Sequence, residues 1–403
     1  MKFKIKVGDL LEAVEKATLT ADKKGVSGSS MIYLNAYKKD TAQALFVYAT
    51  TLSCESTNKL ECEIEDPGEA VVNPEILIAG LMKRDPVLEA EVEIVETKKD
   101  GRRLRIKIGS QGTISCALDP NGTEYLSKRM RAVPFRGEAV CKVDGSVLND
   151  FVRRTLFCIP ENDNQQNKYQ MGGLKLFITE EGAVGWGTNG KALARIVIKG
   201  TFESGLDKIL IPKESLGPFS TFIKKTEDIE VVKGPVNGAG TTAKLYFHIG
   251  NTFFGTQLIE GIYPNLDMAL KQHEPEFWFT VNRQDLADCL ARCPKFDDGV
   301  GTIEVDILGD KMSMRTRGSA GAKNTIEDTL AITRNVPEGK KVLPSDQKIN
   351  IKINMNQLAN VAACEKTECM LIGVSTAPVK ALVVHDENDV IVSRYALMPM
   401  RAS

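Results

Sequence analysis

The stretch Gly185–Arg195, GWGTNGKALAR, decides between two interpretations of the chain. Gly185, Gly190 and Lys191 fit the spacing G-x-x-x-x-G-K of a phosphate-binding loop, whose backbone N–H groups and lysine hold phosphates. Such a loop also needs Ser or Thr after the lysine to bind Mg²⁺, and this chain has Ala192 there. That residue argues against a nucleotide-binding enzyme, which remains one alternative function, and directs attention to the repeat in which the stretch lies.

An internal repeat organises the whole chain. A short alternating strand runs into a helix with one apolar face at six places. Aligning the strand residue that lies five before the helix leucine gives Ile5, Val72, Val143, Ile211, Val281 and Ile353. The interval from Ile5 to Val143 is 138 residues, and the interval from Val143 to Val281 is 138 again. The 403 residues therefore predict three domains of two units each, at 1–133, 134–273 and 274–403.

The segments between the helices predict antiparallel meanders. GLKLFI, AVGWGT and LARIVIKG follow one another in the second domain, and TIEVDIL and KMSMRT lie in the third. A sheet that carries its helices on one face gives an α+β domain. The predicted fold class is α+β in three tandem domains.

Composition excludes several classes of protein. With 42% apolar and 26% charged residues the chain has the make-up of a globular protein, and no apolar run is long enough to span a membrane. The opening MKFKIKVGDLLEAVEK lacks the apolar core of a signal peptide, so we expect a cytoplasmic protein.

Cysteine and histidine patterns predict no metal site and no cofactor. The nine cysteines form no C-x-x-C pair, and the three histidines are isolated. Cys289 and Cys293 have helical spacing but lack companion ligands, which favours structural thiols. We also find no Ser-His-Asp set and no carboxylate pair, so the sequence predicts a protein without catalytic activity.

Basic residues recur at the helix ends. Cations there are stabilised by the helix dipole, but repetition on tandem elements also fits a shared surface that binds phosphates without reading bases. The residues are Lys16 with Lys23 and Lys24, Lys83 with Arg84, Arg153 with Arg154, Lys224 with Lys225, Arg292 with Lys295, and Lys366.

Several segments together carry a family resemblance. The opening MKF with Leu10 and Leu11, then ATTLSCES, GTNGKALA, EGIYPN and the ending YALMPMR, resemble the bacterial DNA polymerase III β subunit, the sliding clamp. Loops such as GPVNGAGTT mark the sequence as diverged, as in a phage or an unusual bacterium. The resemblance implies a head-to-tail homodimeric ring whose helices line a hole around double-stranded DNA. It implies a non-catalytic processivity factor for DNA replication.

The resemblance also implies a hydrophobic cleft between the second and third domains. A polymerase catalytic subunit, a clamp loader, and repair polymerases, ligase or mismatch-repair proteins would insert a short peptide there. Methionine suits a pocket that accepts several partners. The implied cleft residues are Met171, Thr188, Gly190, Leu193, Pro264, Met268, Asn354, Pro378, Leu397, Met398, Pro399 and Met400, of which Leu193 and Leu397 fit an ordinary core equally well.

Two further sets of residues are expected. The DNA contacts expected from the basic helix ends are Lys83, Arg84, Arg153, Arg154, Lys224 and Lys225, and the resemblance implies Lys23, Lys24, Gln165, Lys168, Tyr169 and Gln170. The expected dimer contacts are Ile114, Leu290 and Phe296, and a shift of one residue would turn Ile114 to the opposite face. A tandem scaffold that binds proteins without encircling DNA remains a third alternative.

Overall fold

The computed structural model describes residues 1–21, 30–51, 53–97, 101–131, 139–160, 171–200, 202, 209–223, 228–234, 243–293, 301–317, 325–377 and 379–400. The chain forms two compact units. The first unit contains Met1–Ser146 and Glu214–Leu258, and the second contains Val147–Lys213 and Ile259–Ser403.

The described ranges contain eight α-helices, six of which directly follow a strand. They are α1 (Val7–Thr18), α2 (Pro74–Leu81), α3 (Pro120–Arg131), α4 (Gly145–Leu156), α5 (Lys213–Phe222), α6 (Leu266–Gln272), α7 (Arg283–Arg292) and α8 (Met355–Cys364).

The first unit holds two antiparallel sheets. Five strands lie in the order β5 (Glu63–Asp66), β1 (Lys2–Lys6), β7 (Glu89–Thr97), β8 (Gly101–Ile108) and β9 (Thr113–Ala117). Eight strands lie in the order β10 (Ala139–Asp144), β15 (Asp228–Lys233), β16 (Lys244–Ile249), β17 (Thr252–Gln257), β4 (Cys54–Leu60), β3 (Ala42–Thr50), β2 (Ile32–Lys39) and β6 (Gly68–Val72).

The second unit holds one sheet of twelve described strands, all paired antiparallel. Their order is β14 (Ile209–Pro212), β11 (Gly173–Thr179), β12 (Gly182–Thr188), β13 (Ala192–Lys199), β25 (Ile391–Leu397), β24 (Leu382–Glu387), β23 (Cys369–Val374), β18 (Phe277–Asn282), β21 (Thr325–Thr333), β20 (Lys311–Arg317), β19 (Thr302–Leu308) and β22 (Ile349–Asn354).

An Asn side chain starts three of the six repeated helices. Asn73 directly follows β6, and Asn282 and Asn354 are the last residues of β18 and β22. Each keeps an extended backbone and accepts a hydrogen bond from an N–H in the first helical turn. Asp144 accepts from the Ser146 N–H at 2.9 Å before α4. These caps satisfy N–H groups that the helix itself cannot bond, so the change from strand to helix is encoded locally.

Helices α1 and α2 close the core of the first unit. Phe3 and Ile5 from β1 meet Leu10 and Val14 from α1 in one buried cluster, to which Leu77 of α2 also belongs. These apolar side chains recur at strand spacing and then at helix spacing, which is the pattern from which the repeat was predicted.

The predicted fold class is confirmed. All six aligned residues lie in strands that run directly into helices: β1–α1, β6–α2, β10–α4, β14–α5, β18–α7 and β22–α8. The boundaries of the compact units cross the predicted second domain, so the domain bounds at 133 and 273 stay a prediction. Among the described helices, none is both long enough and apolar enough to cross a bilayer.

Gly185 tests the contact between strand β12 and helix α4. A Cβ at Gly185 would lie 2.3 Å from Cζ of Phe151, far inside van der Waals contact. We expect Gly185→Ala to destabilise the protein by about 1–3 kcal/mol, because extra volume in a packed core forces side chains out of their rotamers. Phe151→Leu in the same chain should restore part of the melting temperature. Additive losses in the double variant would contradict this contact.

Candidate functional site

The stretch Gly185–Arg195 is a β-hairpin. Strand β12 ends at Thr188 and β13 begins at Ala192, with Gly190 at φ +77° in the turn. The Asn189 Oδ1 accepts hydrogen bonds from the N–H groups of Lys191 and Ala192 at 2.9 and 2.8 Å. A phosphate-binding loop connects a strand to a helix, whereas this turn leads into an antiparallel strand. The nucleotide-enzyme alternative is therefore wrong for this stretch.

The segment Met398–Met400 continues from strand β25 past this hairpin. β25 pairs with β13 from Ala192–Leu397 to Ile198–Ile391. The Met398 N–H then donates to the Lys191 carbonyl at 2.8 Å, and the Met400 N–H donates to the Lys352 carbonyl at 2.7 Å. Met398, Pro399 and Met400 are each half-buried, so the segment is held by its backbone and leaves apolar side chains partly accessible.

Helix α6 covers the other side of the hairpin. Its residues Leu266 and Leu270 are buried in one cluster with Trp186 and Leu193, and Met398 packs against that cluster. The Tyr263 hydroxyl donates to the Trp186 carbonyl at 3.1 Å, which ties the turn before α6 to β12. We use the name partner cleft for the predicted residues Met171, Pro264, Met398, Pro399 and Met400, each of which is half-buried.

The structure separates the predicted cleft residues into accessible and buried ones. Met268 exposes 60% of its surface, and Gly190 is also exposed. Leu397 is fully buried and Leu193 is 2% exposed, which agrees with the alternative that these two belong to the core. The Thr188 hydroxyl is held by the Ala192 carbonyl at 3.0 Å, and Asn354 caps α8. Pro378 lies outside the described residues.

Arg154 is a clear correction to the predicted DNA-contact set. Its side chain is fully buried, so it has no surface to offer a phosphate. Its Nε lies 3.0 Å from Oδ2 of Asp150, and its Nη1 donates to Oγ of Ser393 at 2.6 Å and to Glu365. The position near a helix end predicts a solvated cation, whereas Arg154 is enclosed by Asp150 one helical turn earlier and by Glu365 and Asp386 from distant parts of the chain.

Arg153 also points towards protein. Its guanidinium donates to the Ala363 and Cys364 carbonyls at 2.9 and 2.7 Å, and its Nη2 lies 2.7 Å from Oδ1 of Asp150. Those carbonyls belong to the last turn of α8, where a cation is favoured by the helix dipole. The arginine pair therefore joins α4 to α8 within the second unit.

Two other predicted DNA contacts lie at the end of α2. Lys83 is exposed and adopts φ +64°, whereas Arg84 donates to the carbonyls of Gly80 and Gln111. Of this pair, Lys83 has the more accessible cation. The other predicted contacts, Lys23, Lys24, Gln165, Lys168, Tyr169, Gln170, Lys224 and Lys225, lie outside the described residues.

The predicted dimer contacts are mostly buried within one chain. Ile114 is 8% exposed, and its side chain fills the space beside Gly80 of α2. Leu290 is 3% exposed, and Phe296 lies outside the described residues. Sequence reasoning did not single out Ile326, an apolar residue that exposes 42% of its surface on strand β21.

Burial dominates the titration of Glu365. Removal from water, reinforced by the neighbouring Asp386, raises the pKa of the Glu365 carboxyl to about 8, although Arg154 acts in the opposite direction. Burial also raises the pKa of Tyr395, which faces the same cluster. Glu365 therefore holds a proton at neutral pH, while Asp150, whose pKa is lowered by its arginines against the effect of burial, stays ionised.

The described residues offer no group of three or more His, Cys, Asp or Glu side chains suited to a metal ion. All nine cysteines are free thiols. The segment Met398–Met400 offers half-buried apolar side chains whose backbone is held by hydrogen bonds to Lys191 and Lys352.

Comparisons with known proteins agree with the fold. A curated relative, the "Beta sliding clamp" of Mycoplasma capricolum, is 22% identical over 399 residues, which cover 96% of this chain and 97% of that protein. No family model matches the chain.

Solved structures give the same result over the whole length. A DNA polymerase sliding clamp from Pseudomonas aeruginosa superposes with a TM-score of 0.79 at 17% identity, and covers 100% of both chains. A DNA polymerase III β subunit from Thermotoga maritima gives 0.79 at 14% identity with the same coverage. The resemblance seen in the sequence is thus confirmed at the level of the fold.

Glu365 makes stability depend on pH. Its pKa is about 8 in the folded chain and roughly 4.3 in an unfolded one, so the folded chain binds the proton more tightly. The stabilisation is full below pH 4.3 and is lost as the pH rises towards 8, by at most about 1.4 kcal/mol per pH unit. We expect Glu365→Gln to melt slightly above wild type at pH 5 and further above it as the pH rises to 8, because the amide has no proton to lose.

The measurement is a series of thermal melts between pH 5 and pH 9. Glu368→Gln, a neighbouring exposed carboxylate, is the matched control and should follow wild type throughout. If Glu365→Gln instead lowered the melting temperature equally at every pH, Glu365 would be an ionised partner of Arg154 and the assigned proton would be absent.

Proposed function

We propose that this protein is a DNA sliding clamp, a ring without catalytic activity that holds a DNA polymerase on duplex DNA. The observation that carries the proposal is the agreement of the fold with DNA polymerase clamps over 100% of both chains. The six repeated strand–helix units agree with it. That this chain also acts on DNA together with a DNA polymerase is our inference from these solved clamps.

Retention in such a ring is topological. A closed ring leaves DNA only by opening or by sliding off an end, so each contact can be weak. Lysine contacts to phosphates are independent of base sequence, which permits sliding. A chain with a net charge of −1 can still bind DNA, because binding depends on the cations that lie near the phosphates and not on the net charge. The exposed Lys83 is one candidate for such a cation.

The ring would close through two strand edges. In the described residues, β9 lies at the end of its five-stranded sheet. Strand β21 pairs with β20 along its length but with β18 only at Ile332 and Thr333, which leaves its first part without a second neighbour among those residues. We infer that β9 of one copy pairs with β21 of another, because two different edges give a head-to-tail interface that two copies can close.

The partner cleft would take a short apolar peptide from the polymerase, the clamp loader or a repair protein. Met398 and Met400 are held by backbone hydrogen bonds to Lys191 and Lys352. Because this backbone is already ordered, peptide binding would not carry the entropic cost of ordering it. Methionine adapts to different side chains, which fits several partners at one surface.

Ile326 tests the ring. We expect Ile326→Asp to convert the dimer into monomers in sedimentation, since it adds a charge to an apolar strand edge. Leu308→Asp is the matched control, because Leu308 is also exposed, at 53%, but lies at the turn between β19 and β20. The control variant should remain dimeric.

The same two variants test encirclement. Protein that is diluted to monomers and concentrated again with nicked circular plasmid should stay on the plasmid, and should leave once the plasmid is cut. Ile326→Asp should not be retained on either form. Equal release of wild type from circular and linear DNA would favour the scaffold alternative.

The cleft is tested by removing side chains while the backbone stays in place. Met398→Ala with Met400→Ala should weaken binding of a fluorescent peptide from the polymerase at least tenfold, which requires only about 1.4 kcal/mol of lost apolar contact. Met82→Ala is the matched control, since Met82 is 48% exposed directly after α2. Unchanged affinity in a dimeric double variant would mean that the peptide binds elsewhere.

A further inference from the structure

The first unit contains a copy of the backbone that surrounds the partner cleft. Cys54 of β4 pairs with Thr256 of β17, as Ala192 pairs with Leu397 in the second unit. The Gln257 N–H then donates to the Ser53 carbonyl at 2.7 Å, which matches the bond from Met398 to Lys191 at 2.8 Å. We call this surface the twin site.

The turn at the twin site has the same hydrogen bond as the hairpin below the cleft. The Thr50 hydroxyl lies 3.3 Å from the Cys54 carbonyl, as the Thr188 hydroxyl lies 3.0 Å from that of Ala192. Counting from these pairs, Glu55 takes the position of Leu193. The two sites therefore share their backbone hydrogen bonds, but the side chain at this position is a carboxyl group in the twin site and apolar in the second unit.

A helix covers each site in the same way. Leu126 of α3 is buried in a cluster with Tyr48, and Leu270 of α6 is buried in a cluster with Trp186. Tyr48 and Trp186 both lie seven residues before the position that distinguishes the sites, Glu55 or Leu193. Helix α3 therefore packs beside the twin site as α6 packs beside the hairpin in the second unit.

Three neighbours of Glu55 differ from the cleft in a coordinated way. Leu245 pairs with Thr256 as Leu382 pairs with Leu397, so Lys244 and Tyr246 take the positions of Ala381 and Val383. Ala381, Val383, Leu193 and Trp186 form one apolar cluster beneath the cleft. Their counterparts in the twin site are Lys244, Tyr246, Glu55 and Tyr48.

These four polar side chains form one hydrogen-bonded group. Glu55 is 4% exposed and accepts from the Tyr48 hydroxyl at 2.7 Å through Oε2. Its Oε1 accepts from the Lys244 ammonium at 2.6 Å and from the Tyr246 hydroxyl at 3.0 Å. Burial and the nearby carboxylate raise the pKa of both tyrosines, so both hydroxyls keep the proton that they donate.

The space left at the twin site is small and polar. A cavity of about 50 Å³ lies among Thr50, Thr51, Ser53, Glu55, Arg129 and Lys244. The Lys244 side chain is 30% exposed, so the ion pair still has access to water. A peptide leucine placed there would remove that water and would gain no apolar contact to replace it.

We propose that Glu55, held by Tyr48, Tyr246 and Lys244, excludes the apolar partner peptide from the twin site and so limits each chain to one peptide. This inference rests on the proposed function of the partner cleft. Its consequence is that a dimer holds two partner peptides, although each chain has two surfaces of the required backbone geometry.

The test removes the polar group and counts bound peptides. The variant carries Glu55→Leu, Lys244→Ala, Tyr48→Phe and Tyr246→Phe, which leaves no polar atom of the group without a partner. The probe is the fluorescent polymerase peptide, and the stoichiometry comes from calorimetry and native mass spectrometry. We expect one peptide per wild-type chain and two per variant chain, with the second within tenfold of the first in affinity.

A milder variant, Glu55→Gln with Lys244→Met, guards against misfolding of the first. It keeps one acceptor oxygen for one tyrosine, turns the amide N–H groups towards the oxygen of the other, and removes both charges, so we expect a second peptide that binds more weakly than the first. Leu193→Glu is the matched control in the cleft and should abolish the first site. Added to the four-site variant, it should leave one peptide at the twin site.

The outcomes separate the two proposals. A wild-type chain that binds no peptide contradicts the proposed function of the cleft. One peptide per chain in wild type and in both folded variants contradicts the role of Glu55 and leaves the cleft assignment standing. If the four-site variant does not fold, one peptide per chain in the milder variant overturns the role of Glu55.

Discussion

Backbone pairing between β13 and β25 is the interaction on which the second unit depends. Seven residue pairs, from Ala192–Leu397 to Ile198–Ile391, join strands that lie about two hundred residues apart in the chain. The pairing covers two strand edges that would otherwise be open to other chains, and it continues one sheet through twelve described strands. It also brings Met398 beside Lys191. The position of the proposed partner cleft therefore depends on the pairing of β13 with β25.

The buried charges around Arg154 constrain the same region by a different means. Arg154 and Arg153 of α4 reach Glu365, the last carbonyls of α8, and Ser393 of β25. Burying such a group costs desolvation that its attractions only partly offset, so it contributes little net stability. A proton on Glu365 lowers the cost by removing one negative charge from the interior.

Repetition in this chain preserves the backbone more closely than the side chains. Strand pairs β4–β17 and β13–β25 share their register and the hydrogen bond that follows it. Glu55 and Leu193 occupy matching positions, yet one is surrounded by hydroxyls and an ammonium group and the other by apolar side chains. The shared backbone geometry follows from strand pairing, which depends on main-chain groups that every residue type except proline has. The polarity of each surface depends instead on four side chains, which differ together between the two sites.

The sequence by itself determined the six strand–helix units and the α+β class. The period of apolar residues and the caps at Asn73, Asn282 and Asn354 act within a few residues, so they can be read locally. Ala192 likewise argued locally against a phosphate-binding loop. Only the tertiary structure decided that Arg154 is buried, because its partner Glu365 lies 211 residues away in the chain. The sequence of a basic helix end does not distinguish a side chain that faces water from one that faces a carboxyl group. The tertiary structure also decided that Leu193 and Leu397 are buried and that Ile326 is exposed, since burial depends on which strands become neighbours.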